Sequence, residues 1–88
     1  MPAKQQSTTS YLQVMPFYAA AGAPHWNVFQ VSEESPRITL AGTVTTCEQA
    51  RRMAARNQWP LRIAQQAWQQ MVAAGVAPNR APDGLTII

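Results

Sequence analysis

The pattern of hydrophobic and polar residues predicts three strands in the first half of the chain. Residues 11–19 and 25–32 are rich in aromatic and β-branched side chains, and Pro16 interrupts the first of these segments. Residues 37–45 show the clearest alternation of apolar and polar positions. The polar segment 33–36 predicts a turn, so the second and third strands should form a hairpin.

The side chains of these strands indicate which faces are buried. In the second strand Trp26 and Val28 share one face, whereas Phe29 and Val31 share the other. This change of side predicts a β-bulge or burial on both faces. In the third strand, alternation predicts that four residues face one way: Ile38, Leu40, Gly42 and Val44.

A helix is predicted to begin at Thr45 or Thr46. Each threonine has a capping-box partner three residues later, Glu48 or Gln49 respectively. Helical spacing gives this helix a buried face formed by Cys47, Ala50, Met53 and Ala54. It gives the opposite face Glu48, Arg52 and Arg56, with Arg51 on a flank.

A second helix is predicted to follow the break at residues 57–60, with Pro60 in its first turn and Gly75 as its C-terminal stop. Its apolar stripe consists of Leu61, Ala64, Ala67, Trp68, Met71 and Val72. Its polar face consists of Arg62, Gln65, Gln66, Gln69 and Gln70. The alternative is a short strand at 61–64 before a shorter helix. The helix is preferred because the stripe is continuous.

The element order predicts an α+β fold with a small three-stranded antiparallel sheet followed by two helices packed on one face. The expected organisation is a flexible tail at residues 1–10, one domain at 11–76 and a C-terminal tail at 77–88. The apolar residues 85–88 are expected to dock or to add a short strand.

Composition restricts the class of protein. The 88 residues suffice for one domain, only 12% are charged, and the net charge of +3 is compatible with a polyanionic partner. No segment approaches the roughly 20 apolar residues of a membrane span. The single cysteine, Cys47, and the polar N-terminal residues favour a cytoplasmic protein.

Catalytic and metal-binding motifs are absent from the sequence. His25 is the only histidine, and no spacing typical of a zinc or calcium site or of a phosphate-binding loop occurs. We therefore expect no enzyme activity, no metal and no cofactor. Cys47 lies in the predicted first helical turn with Arg51 one turn later, which would favour a reactive thiolate. The preferred interpretation is a small buried residue, because Cys47 continues the alanine stripe.

The arginines are the strongest functional candidates. Arg51, Arg52 and Arg56 cluster on the first helix, and Arg62 would join them if the helices pack side by side. Guanidinium groups at this spacing suit successive phosphates or an acidic protein patch. The alternative is an ordinary solvated helix face.

Residues 37–57 also resemble the last strand and helix of AP2-type domains and phage-integrase arm-binding domains. The resemblance lies in Gly42-Thr43-Val44-Thr45 and in Glu48-Gln49-Ala50. It implies a three-stranded sheet that lies in a DNA groove, with the helix supporting it from behind. It also implies that Arg37 and Trp26, on exposed strand faces, contact DNA.

Two functions follow as hypotheses. The first is a small nucleic-acid-binding accessory protein, with DNA as the expected ligand. Trp26 would stack on or wedge into the nucleic acid, and the phosphates would be contacted by Arg37, Arg51, Arg52, Arg56 and Arg62. The alternative is a protein-binding inhibitor or adaptor of phage or plasmid type, for which a homodimer is the simplest case.

Overall fold

The computed structural model describes residues 10–17, 24–33 and 37–88. Their elements, in chain order, are β1 (Ser10–Val14), β2 (Trp26–Ser32), β3 (Arg37–Val44), α1 (Cys47–Asn57), β4 (Leu61–Ile63), α2 (Gln65–Ala73) and β5 (Leu85–Ile87). The expected flexible tail and the turn at 33–36 lie almost wholly outside the described residues.

The strands form one mixed sheet in the order β3-β2-β1-β4-β5. The first three strands pair antiparallel, whereas β4 is parallel to β1 and β5 is parallel to β4. The α+β class is confirmed. The expected three-stranded antiparallel sheet is extended to five strands, and the C-terminal tail contributes one of them.

The expectation of a helix beginning near Leu61 is wrong, because residues 61–63 form β4. The N–H of Leu12 donates to the carbonyl of Pro60, and the N–H of Ala64 donates to the carbonyl of Val14, each at 3.0 Å. Leu61 and Ile63 are buried while Arg62, between them, is partly exposed. This alternation of buried and partly exposed residues is typical of a strand. The helical stripe of α2 begins only at Ala67.

Helix α1 begins as the sequence predicts. Thr46 is the N-cap, and its hydroxyl accepts a hydrogen bond from the N–H of Gln49 at 3.1 Å. The side-chain oxygen of Gln49 accepts in return from the N–H of Thr45 at 2.7 Å. Ala50 and Ala54 are buried, so the apolar face of α1 packs on the sheet.

Both helices end in the same hydrogen-bonded motif, with a left-handed residue just after the last turn. After α2 this residue is Gly75 (φ 76°), and the next N–H, that of Val76, donates to Met71 at 2.9 Å. After α1 the residue is Gln58 (φ 58°), and the N–H of Trp59 donates to Ala54 at 3.1 Å. The left-handed conformation is unfavourable for glutamine because of its Cβ.

Replacing Gln58 with glycine should therefore stabilise the fold. We expect Gln58→Gly to raise the free energy of unfolding by about 0.5–1 kcal/mol, because glycine adopts φ > 0 without steric cost. Urea denaturation measures the change. Ala55→Gly, at an exposed position inside α1, is the control and should lower stability by about 1 kcal/mol. A loss of stability in both variants would contradict the helix end described here.

The helices cover one face of the sheet. The core of this covered face consists of Leu12, Val14, Trp26, Val28, Val44, Leu61 and Ile63 from the strands, with Cys47, Ala50, Ala54, Ala67, Trp68 and Met71 from the helices. The opposite face, called the open face here, carries Tyr11, Gln13, Phe29, Val31, Ile38, Leu40 and Arg62.

A β-bulge in β3 determines which residues of this strand lie on the covered face and which on the open face. Val28 lies opposite Gly42 but Phe29 lies opposite Leu40, so Ala41 is the extra residue. The bulge expected in the second strand is therefore found in β3 instead, and the single face predicted for β3 is wrong. Ile38 and Leu40 lie on the open face, 69% and 57% exposed, whereas Val44 is buried beneath the helices. Gly42 admits the side chain of Met53, whose Cε would lie 3.1 Å from an added Cβ.

Candidate functional site

Three arginines on the outer side of α1 form a surface that we call the arginine face: Arg51, Arg52 and Arg56. Arg51 and Arg52 share one carboxylate, that of Glu48, at 3.3 and 3.5 Å. The side chain of Arg52 remains 71% exposed. Arg56 lies in the last turn and is exposed, and it forms no ion pair with the described residues. The expected orientation of these arginines toward solvent is confirmed.

The three arginines of this face differ in their surroundings. Arg51 and Arg52 border a depression that also includes Glu48 and Asp83, so both charges are near two carboxylates. Arg52 also borders, with Arg56, a second depression beside Thr43 of the edge strand β3. Arg56 borders only this second depression, so the positive charge that these carboxylates do not offset lies on the side next to β3.

The other two candidate arginines lie apart from this surface. Arg62 belongs to β4 and points to the open face, where its guanidinium carbon lies 4.0 Å from the centre of the Tyr11 ring. The expectation that Arg62 extends the helix cluster is wrong, because it depended on residues 61–63 being helical. Arg37 is exposed at the start of β3.

Trp26 is fully buried, so the expectation that it lies on an exposed strand face is wrong. Its indole N–H donates to the side-chain oxygen of Gln70 at 2.9 Å. The same oxygen accepts from the N–H of Phe17 at 3.1 Å, and the Gln70 amide group donates to the Phe17 carbonyl at 2.9 Å. Gln70, expected on the polar face of its helix, instead joins three separate segments. Trp26 is therefore a core residue and is unavailable for stacking on a base.

Removing the Gln70 amide should destabilise the fold. We expect Gln70→Leu to lower the free energy of unfolding by about 1–3 kcal/mol, because it leaves the Trp26 indole N–H without its acceptor in the core. Chemical denaturation followed by tryptophan fluorescence measures the loss. Gln69→Leu, the exposed neighbour on α2, is the control and should change stability by less than about 0.5 kcal/mol. Equal effects of the two variants would contradict the hydrogen-bonding role of Gln70.

Cys47 is 2% exposed at the start of α1. Burial raises the pKa of its thiol; the nearby Arg51 acts in the opposite direction but is outweighed, and Glu48 adds to the increase in pKa. The thiolate is therefore disfavoured in the folded chain. The interpretation of Cys47 as a small buried residue is supported, and a nucleophilic thiol is not.

This raised pKa should appear in the pH dependence of stability. The unfolded chain loses the Cys47 proton above a pH of about 8.5, while the folded chain keeps it to higher pH. Stability is therefore fully present below that pH and falls as the pH rises toward the folded-state pKa. We expect urea unfolding to show that stability falls less between neutral and alkaline pH in Cys47→Ala than in the unmodified chain. An equal fall in both would show that Cys47 does not contribute to the pH dependence of stability.

The open face is the second candidate surface. Its side chains are mostly apolar, and Arg62 is the one charged residue that the described strands place on it. The amide of Gln13 donates to the sulfur of Met15 at 3.3 Å, so this polar group lies beside Met15 on the open face. Single exposed apolar residues are common, but a contiguous apolar patch usually marks an interaction surface.

Within residues 10–17, 24–33 and 37–88, no cluster of His, Cys, Asp and Glu side chains could hold a metal ion. No helix in the same residues is long and apolar enough to cross a membrane. No family model, curated protein or solved structure matches the chain. The resemblance to AP2-type and integrase arm-binding domains therefore stays a prediction.

Proposed function

We propose that this protein is a non-enzymatic binding protein for a polyanion, with nucleic acid as the first candidate, and that Arg52 and Arg56 of the arginine face make the contacts. The observation that supports this most is the exposure of these two guanidinium groups, one helical turn apart. Among the described residues, Glu48 is the one carboxylate that pairs with Arg52. Arginine suits this role because its planar group donates to phosphate oxygens in pairs.

The expected binding is weak and does not depend on base sequence. Contacts to phosphates position a protein on nucleic acid, whereas sequence is read from base edges. With two guanidinium groups per chain, the logarithm of the binding constant for duplex DNA should fall with the logarithm of salt concentration with a slope of about −2. Neither Trp26, which is buried, nor Arg62, which stacks on Tyr11, contributes on this side of the molecule.

Replacing one arginine tests the proposal. We expect Arg56→Gln to weaken binding for every sequence tested and to reduce the magnitude of the salt slope by about 1 per chain. Fluorescence anisotropy with labelled duplex and single-stranded oligonucleotides, at several salt concentrations, measures both effects.

The control is Arg80→Gln, which removes the same charge from an exposed position outside α1 and should leave the slope unchanged. Equal losses in the two variants would show that net charge, and not the arginine face, determines binding. No salt-sensitive binding at micromolar protein concentration would overturn the proposal.

A second candidate function is protein binding. It is favoured by the open face, where Ile38 and Leu40 are the most exposed large apolar residues of the described strands. These residues lie on an edge strand, so a partner could use the backbone of β3 as well as its side chains.

A further inference from the structure

Strand β3 is an edge without the usual protection. Among the described strands it has one neighbour, β2, and its eight residues make it the longest strand of the sheet. The opposite edge, β5, has three residues. Natural edge strands are commonly blunted by charges, prolines or bulges. After Arg37, β3 has no charge and no proline, and its bulge at Ala41 leaves residues 37–40 in regular register with β2.

The hydrogen-bonding pattern shows which backbone groups of β3 point away from the sheet. The N–H of Met15 donates to the carbonyl of Asn27 at 3.0 Å, so the Asn27 backbone faces β1. Because backbone groups alternate in direction along a strand, Gln30 and Ser32 of β2 face β3, opposite Thr39 and Arg37. The N–H and C=O groups of Ile38 and Leu40 therefore point to the free side.

The side chains of the same two residues are exposed. Ile38 and Leu40 lie on the open face at 69% and 57% exposure, one on each side of Thr39. The free edge at residues 38–40 thus presents two outward pairs of backbone groups and two large apolar side chains. This arrangement is symmetric about Thr39, which is what a partner related by a two-fold axis requires.

We propose that β3 pairs antiparallel with β3 of a second copy of this chain, with the two-fold axis at Thr39. Ile38 of each copy then lies opposite Leu40 of the other, and each such pair exchanges two backbone hydrogen bonds. The apolar side chains of these pairs contact each other on the open face. A second copy fits better than a charged peptide, because residues 38–44 carry no charge that would select one.

This pairing would also change the arginine face. A two-fold axis perpendicular to the sheet places both α1 helices on the same side of a continuous sheet. Arg52 and Arg56 border the β3 edge, so the two copies bring four guanidinium groups to one side of the dimer. Pairing through β3 is independent of the polyanion proposal, whereas this consequence rests on it.

Size measurements with two variants test the pairing. Light scattering after gel filtration should give about twice the 9.7 kDa chain mass for the unmodified protein. Leu40→Pro should give a monomer, because it removes an outward N–H without removing a bond to β2. Leu40→Val keeps that N–H and should remain a dimer. Circular dichroism checks that both variants fold.

Hydrogen exchange of the unmodified chain provides a second test that needs no variant. Pairing through β3 should slow exchange at the amides of Ile38 and Leu40 as protein concentration rises. Thr39, whose amide faces β2, should be protected at every concentration. A monomer at high micromolar concentration would overturn the proposal. So would a dimer in which Ile38 and Leu40 exchange rapidly, because two copies stacked through their open faces would leave these amides unprotected.

Anisotropy on the same samples separates this proposal from polyanion binding. If both hold, the salt slope of Leu40→Pro should be about half that of the dimer. A dimer that binds no oligonucleotide would refute polyanion binding but not pairing through β3. A monomer that binds with salt sensitivity would refute pairing through β3 but not polyanion binding.

Discussion

The burial of only one face of the sheet is the constraint on which the rest of this structure depends. Two short helices pack on alternate residues of the strands, and the alanines of α1 are in contact with that layer. Since side chains on a helix divide into opposite faces, burying Ala50 and Ala54 turns Arg52 and Arg56 to solvent. The same division leaves the other sheet face uncovered. Both candidate surfaces are therefore consequences of one packing arrangement.

Helix α1 could be predicted closely because its signals are local. The capping threonine, the alanine stripe and the exposed arginines all lie within eleven residues and agree with one another. Strands β1 to β3 were predicted for a similar reason, since the first two are rich in aromatic and β-branched residues and the third alternates apolar and polar positions. The local sequence also predicted the glycine that ends α2.

The features that sequence reasoning missed depend on contacts between distant residues. Leu61 and Ile63 match a helical stripe as well as a strand, and pairing with β1 decides between them. Ala41 gives no local sign of a bulge, yet as the extra residue it moves Ile38 and Leu40 to the opposite face. The burial of Trp26 depends on Gln70, 44 residues later in the chain. No periodicity in the sequence connects these two positions.

The charge of the candidate site was only partly predictable. The cluster of arginines on α1 follows from helical spacing, and so does the pairing of Glu48 with Arg52. The sequence did not show that Asp83 borders Arg51 and Arg52, nor that Arg62 stacks on Tyr11 across the sheet. Arg56 is the arginine of α1 that does not border the depression with these carboxylates, so the excess positive charge covers a smaller surface than the arginine count suggests.

A nuclear magnetic resonance titration of the labelled protein with a short oligonucleotide at low salt tests the position of the binding surface most directly. It reports which side of the sheet the ligand contacts. If the arginine face binds the ligand, the side-chain resonances of Arg52 and Arg56 should shift, while those of Phe29 and Val31 on the open face should not. Shifts concentrated on the open face, with Arg52 and Arg56 unchanged, would contradict binding by the arginine face.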